Sequence, residues 1–161
     1  MRPSRDETWL AVAAVVAQRS TCLRRAVGCV LVNARGHVMS TGYNGRAAGL
    51  PHCNQPEFAP YPLATDFPHR CPGAVAVSGT NLDGCEALHA EQNALLQCRD
   101  IYGIDTCYVT TAPCLTCVKL LLNTSCNRIV YLDDYPHSAH SRDLWVNTGR
   151  HWHQLETKKE I

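Results

Sequence analysis

His89 and Glu91 stand two residues apart, and further along the chain Pro113 leads into Cys114 and Cys117. If these side chains share a task, the fold must carry two separate segments to one point. Cys114 and Cys117 are three residues apart, so on a helix they share a face from which both thiols reach one ion, and Pro113 suits the start of that helix. His89 and Glu91 would point to different sides in mid-helix; they converge only where the ion lies beyond a helix N-terminus. Both motifs are therefore expected at helix starts, whose positive ends lower thiolate pKa values and favour a bound anion. One imidazole and two thiolates leave the fourth tetrahedral position of a zinc ion for water, which is the ligand count of a catalytic site. Glu91 is then the group placed to move that water's proton. Either half of the pattern alone is weak evidence, since a lone Cys-x-x-Cys also serves redox chemistry and a lone histidine is commonly structural.

The hydrophobic pattern around these residues predicts alternating helices and strands. Trp9, Val12, Ala13 and Val16 recur at helical spacing, with Leu10, Ala14 and Ala17 widening the stripe, so residues 6–19 read as a packed helix. A β-rich run at 27–32 meets turn chemistry at Asn33, Ala34, Arg35 and Gly36, and 37–43 resumes an extended pattern, which together read as a hairpin. Residues 44–84 are crowded with Pro and Gly and keep no period; a loop of that length needs a function or a metal to tie it down. Beyond it come a helix at 88–98, a strand at 106–111, a helix at 114–122 and a strand at 128–132, a βαβ rhythm. A short helix at 142–148 and a strand at 151–155 complete the reading, with no internal repeat and one domain over 1–161.

With 161 residues, 45% hydrophobic and 18% charged, the chain has the composition of one globular core. A net charge of +1 speaks against gripping a polynucleotide backbone and leaves room for a small anion. Ten cysteines would suggest disulfides in a secreted chain. The apolar run at 9–17, however, follows Asp6 and Glu7 where a signal peptide carries positive charge, and it is too short to span a bilayer. A cytoplasmic setting, no membrane contact and thiols that bind metal or fill the core are expected, with Cys29, Cys98, Cys107 and Cys126 in core positions.

His-x-Glu followed by Pro-Cys-x-x-Cys is the pattern of zinc-dependent nucleobase deaminases. The stretches STCLRRAVG at 20–28, STGYNG at 40–45, GLPHC at 49–53 and HAEQNALLQ at 89–97 extend the likeness. The chain resembles the deoxycytidylate (dCMP) deaminases of the cytidine deaminase superfamily from about residue 19 to residue 135. That resemblance implies an α/β fold, a three-layer α/β/α sandwich around a mixed five-stranded sheet. It also implies hydrolytic deamination of dCMP to dUMP with release of ammonia, feeding thymidylate synthesis, with dCTP to dUTP as an open second reaction. A zinc-activated hydroxide would attack cytosine C4 while Glu91 protonates N3 and then the leaving amino group.

Carried over by motif position, Asn44 would contact the sugar or base, Tyr135 the sugar phosphate, and backbone groups of Ala90 and Ala112 the pyrimidine edge. Arg24 and Arg25 fit phosphate geometry, while a solvated surface pair is the plain alternative; a turn residue beside Gly45 and surface packing are the plain readings of Asn44 and Tyr135. Some relatives carry a structural zinc, for which Cys22, Cys53, Cys71 and Cys85 would supply four thiolates here, with His52 or His69 as substitutes and buried free thiols as the alternative. The resemblance further implies a homo-oligomer, a hexamer in many relatives, regulated by dCTP with Mg2+ and by dTTP. The segment 70–86 departs from the shorter bacterial form and leaves the substrate's phosphorylation state open. Rival readings are a polynucleotide cytosine or adenine deaminase and a non-catalytic zinc module that binds nucleotides.

Overall fold

In the computed structural model, residues 1–54, 71–77, 80 and 84–156 are described. The first helix, α1 (Arg5–Ala17), is opened by a capping box: Ser4 Oγ accepts from the Glu7 amide at 3.1 Å and Glu7 Oε2 accepts from the Ser4 amide at 2.7 Å. The Ser-x-x-Glu spacing sets the start one residue before the position expected from the apolar stripe, and the helix stops two residues sooner. Strands β1 (Gly28–Asn33) and β2 (Val38–Tyr43) form the expected hairpin. Its turn is closed by Asn33 Oδ1, which accepts from the amides of Arg35 and His37 at 3.0 and 2.9 Å, and by Gly36 at φ 81°.

The stretch expected as one long loop carries more order than its composition suggests. Two-residue strands β3 (Gly45–Arg46) and β4 (Ala87–Leu88) pair across it, and a short 3-10 helix spans Pro72–Val75. Leu88 is thus a strand residue, and the next helix, α2 (Ala90–Gln97), begins two residues later than expected with His89 as its cap. Then follow β5 (Ile104–Thr111), α3 (Leu115–Leu122) and β6 (Arg128–Asp133), close to expectation. The last helix, α4 (Ser138–Val146), starts and ends earlier than the weak apolar pattern at 142–148 indicates, because its first turn is polar. β7 (His151–Gln154) ends the described fold.

The five-stranded sheet runs β2-β1-β5-β6-β7, antiparallel across the first three strands and parallel across the last three. Period-two alternation divides its residues between two cores. Val30, Val32, Tyr108 and Val130 meet Leu10 and Ala13 of α1 on one face. Cys29, Leu31, Cys107, Val109 and Ile129 meet Ala94 of α2, Val118 and Leu121 of α3 and Trp145 of α4 on the other. This is the three-layer α/β/α sandwich with a mixed sheet, and Cys126 shares that second core. α2 sits closely on β2 at Gly42, where an added Cβ would overlap the Ala90 carbonyl and the Ala94 amide. That seat fixes where the start of α2 points.

Asp6 ties α1 to the sheet. Its carboxylate accepts from Arg128 Nη1 and Nη2 at 2.7 and 2.5 Å and from the Tyr108 hydroxyl at 2.8 Å. The Arg128 hydrogen bonds hold its pKa below the ordinary carboxylate value. A depressed folded-state pKa contributes stability that is present above the unfolded value and lost as pH falls through the folded one. Asp6→Asn is expected to cost about 1 kcal/mol at pH 7, with the gap to wild type closing below about pH 4. Denaturant titrations of both proteins across pH check this; a gap that is the same at pH 3 and pH 7 contradicts it.

Candidate active site

The site is built from two helix starts and the strand ends that lead into them. His89 caps α2 in extended conformation, its amide held by Gln92 Oε1 at 2.7 Å, and Cys114 caps α3 in the same conformation just after the carboxyl end of β5. Placing ligands at cap positions lets their side chains turn in front of the helix axis. His89 Nδ1 lies 3.3 Å from Cys114 Sγ and 3.4 Å from Cys117 Sγ, and all three ligand atoms lie within 4.8 Å of one another. A tetrahedral zinc ion, with Zn–N near 2.0 Å and Zn–S near 2.3 Å, needs N···S edges of about 3.5 Å. These three residues fit it, with Nδ1 as the imidazole donor.

The electrostatics suit a metal and a proton carrier. The two thiols share a proton unequally: Cys114 is pushed down to about 4, first by its hydrogen bond from Cys117 and then by His89, while Cys117 is raised. His89 is raised by the Cys114 thiolate. Glu91, in the first turn of α2, is 4% exposed, and burial pushes its carboxyl up to about 7 although the His89 imidazolium pulls the other way. A carboxyl held near neutrality is what proton transfer in both directions requires.

A cleft opens over these groups. His89, Glu91 and Cys114 lie in its wall, and so do Arg24, Asn44, Ala90, Ala112 and Tyr135, the residues expected to meet substrate. Their partners refine what each is free to do. Ala112 donates its amide to the Asp133 carbonyl at 2.9 Å, whereas the Ala90 amide belongs to the first helical turn, where no intrahelical acceptor exists. Asn44 acts as a staple: Oδ1 accepts from Ser20 Oγ at 2.6 Å and the Val27 amide at 2.8 Å, and Nδ2 donates to the Arg25 carbonyl at 2.7 Å, leaving one N–H for a ligand. Arg24 Nη1 donates to the carbonyls of Thr80 at 2.6 Å and Val77 at 3.3 Å.

Val27, Ala87 and Thr111 also line the cleft and were not legible as site residues, being apolar or strand-end positions without a motif. Of the four cysteines considered for a second zinc, Cys71 Sγ lies 3.9 Å from Cys85 Sγ, Cys53 neighbours Cys71, and Cys22 and Cys85 face the cleft. Among the described residues, His89, Cys114 and Cys117 form the only group of three whose ligand atoms gather within 4.8 Å. His52 is exposed, and His69 lies outside the described residues.

Residues 3–133 match the family described as the cytidine and deoxycytidylate deaminase zinc-binding region. The deoxycytidylate deaminase of Mycobacterium phage D29 is 41% identical over 135 residues, covering 81% of this chain and 95% of the relative. That of Saccharomyces cerevisiae is 37% identical over 151 residues, covering 92% of this chain, which spans only 44% of the yeast protein's length. The dCMP deaminase of cyanophage S-TIM5, in a structure with dCMP and dUMP, superposes with a TM-score of 0.69 at 23% identity, covering 96% of this chain and 99% of that one. At that identity the likeness speaks for the fold.

Because zinc needs deprotonated ligands, uptake by metal-free protein is expected to release roughly one to two protons per ion at neutral pH. Calorimetry in buffers of different ionisation enthalpy counts them. His89→Ala and Cys114→Ala are each expected to abolish stoichiometric zinc, which metal analysis reads directly.

Proposed function

We propose that this chain, which belongs to the cytidine and deoxycytidylate deaminase family, hydrolyses the 4-amino group of dCMP, giving dUMP and ammonia. The observation that carries the reading is a buried carboxyl, Glu91, beside three converging metal ligands at the floor of a cleft. Zinc bound by His89, Cys114 and Cys117 supplies a positive charge that brings the pKa of a water near 7.

Glu91 takes a proton from the attacking water and delivers it to N3 of the cytosine as C4 becomes tetrahedral. The same carboxyl, now a carboxylate, takes the proton of the new C4 hydroxyl and passes it to the amino nitrogen; the C4–N bond breaks, C4=O forms and ammonia departs. The Ala90 amide and the Ala112 carbonyl offer one donor and one acceptor to the pyrimidine edge, and Asn44 holds the adjoining segment in place while its remaining N–H meets the sugar. Tyr135 closes the sugar side of the cleft. Burial of Glu91 excludes bulk water from the proton path, so proton transfer stays between carboxyl and substrate.

The same reading extends to dCTP as a second substrate and to a homo-oligomer with dCTP, Mg2+ and dTTP as effectors, supported by the family resemblance alone. A cytoplasmic setting is supported by ten unpaired cysteines; among the described residues, no helix is long and apolar enough to cross a membrane.

Ammonia release measured with dCMP, dCTP, cytidine and a short cytosine-bearing oligonucleotide tests the substrate class. Turnover of dCMP above the others is expected, and turnover of the oligonucleotide alone would reject the reading in favour of a polynucleotide deaminase. Glu91→Ala is expected to keep its zinc and its fold and to lose about 10²- to 10⁴-fold in kcat. A near-normal rate would remove Glu91 from the mechanism. The acid limb of wild-type kcat/KM should lie below pH 7, since a nearby dication favours the carboxylate.

A further inference from the structure

We infer that a notch between the start of α1 and the β1–β2 turn is a second binding site, one that takes the phosphate chain of a small anion. Arg2, Arg5 and Trp9 line it from the first segment, and Arg35 and Gly36 line it from the turn. Arginines spaced along one helix would be a solvated face. Here the fold carries Arg35 from a separate hairpin to the other two, in a chain whose formal net charge is only +1. The notch is also remote from the deaminase cleft. Val27, just before β1, lines the cleft, whereas Asn33, the last residue of β1, closes the turn, so the rise of the strand separates the two sites by roughly 20 Å.

Cations gathered by a fold repel one another unless carboxylates lie among them. Among the described residues, no side chain lining the notch is acidic. The carboxylates next in sequence serve other groups: Asp6 accepts from Arg128 and Tyr108 on the sheet side of α1, and Glu7 accepts from the Ser4 amide. The ion pairs among the described residues, Arg46–Glu86, Arg128–Asp6 and Arg142–Asp143, include none of the three arginines. Three positive charges therefore face one concavity, and an anionic ligand supplies the charge that the chain does not.

The geometry of Arg5 and Arg35 favours phosphate. Arg5 Cζ and Nη1 lie 3.3 Å, and Nε 3.4 Å, from the point where a Cβ on Gly36 would stand. Near-equal distances to three atoms of one plane set the guanidinium face-on over the turn, so its N–H bonds run along the surface and are open to oxygens in that plane. Gly36 makes room for it by lacking a side chain. The turn itself is fixed: the Gly36 amide donates to the Asn33 carbonyl at 2.8 Å, and Asn33 Oδ1 accepts from the Arg35 amide at 3.0 Å. On the other side the capping box of Ser4 and Glu7 fixes the backbone that carries Arg5. Guanidinium forks match phosphate oxygens in pairs, and three of them offer more donors than one carboxylate can accept. Trp9, packed on the core beside Leu10, adds an aromatic surface on which a nucleobase stacks. The phosphate chain can thus belong to a free condensed phosphate or to a nucleotide.

The test is calorimetric titration of zinc-loaded protein with inorganic tripolyphosphate and with ATP, each with and without excess dUMP to fill the cleft. Wild type is expected to bind one tripolyphosphate per chain whether or not dUMP is present, more weakly as salt rises. Arg5→Ala and Arg35→Ala should each lose about ten-fold or more in that affinity, and Arg35→Lys should keep part of it. Both arginines are exposed, so the variants are expected to fold and to release ammonia from dCMP at the wild-type rate. Tighter binding of ATP than of tripolyphosphate identifies a nucleotide as the source of the chain; equal or weaker binding identifies free condensed phosphate. Absence of binding at near-physiological salt overturns the site, as does an affinity unchanged in both alanine variants. Displacement of tripolyphosphate by dUMP also overturns it, since the anion then sits in the cleft.

Discussion

The convergence of two helix N-termini on one point is the constraint from which the site follows. A cap residue has extended backbone while its neighbours are helical, so its side chain can swing across the end of the helix. His89 and Cys114 both use that geometry, and Cys117 reaches the same point from the first turn of α3. Most caps carry a serine, threonine or asparagine that accepts a helix amide; at α3 the Cys114 thiol stands in that position with no such bond, and at α2 the His89 imidazole stands where a hydroxyl is usual, in a capping box with Gln92. Ligand geometry has taken precedence over helix capping. At α2 Gln92 reaches back to the His89 amide, and α3 is anchored by the packing of Val118 and Leu121.

The same convergence explains why a carboxylate can be buried here. Glu91 lies at the positive end of α2 and faces that of α3, beside the ligand set, so part of its desolvation is offset by fixed dipoles. Its pKa is still raised, first by burial and then by the thiolate of Cys114, which works in the opposite direction from His89. A dication added to the cluster would neutralise the thiolate charge and restore the balance in favour of the carboxylate. The ligand cluster and the carboxyl are thus electrostatically linked: a change in the charge carried by His89 and Cys114 moves the pKa of Glu91.

Sequence reading reached the core elements and the convergence of motifs because both are carried by residue chemistry. Alternation in β1 and β5 and the Cys-x-x-Cys spacing depend on local geometry alone. What escaped it depends on distant partners. The equivalence of Arg24 and Arg25 is broken by carbonyls more than fifty residues away, at Val77 and Thr80. Asn44 was legible as a site residue, but its work as a staple for residues 20–27 is not, since its acceptor and donors lie outside its own turn. The late start of α2 was hidden by a pair of residues, Ala87 and Leu88, that belong equally well to a helix until β3 supplies a partner.

That small β3–β4 ladder does more than its length suggests. Pairing Gly45 with Leu88 sets their chain neighbours, Asn44 and His89, side by side, so the segment that staples Arg25 and the segment that holds the metal ligands share one register. Two residue pairs are too few to fix that register by main-chain bonds alone. The ion pair between Arg46 and Glu86 continues the ladder where the strands end, with the Arg46 side chain fully buried and donating also to the Pro51 carbonyl at 3.2 Å. With Arg46 buried and Glu86 33% exposed, the pair adds little net stability, because desolvation of the guanidinium offsets most of the attraction, but it penalises every register that separates the charges. A slip of one residue would leave a guanidinium buried beside the wrong neighbour and turn Asn44 away from residues 25–27. The polar tie at Arg46 therefore acts as a register device for the candidate site: it makes the distance between the Arg24–Arg25 end of the cleft and His89 a property of the fold.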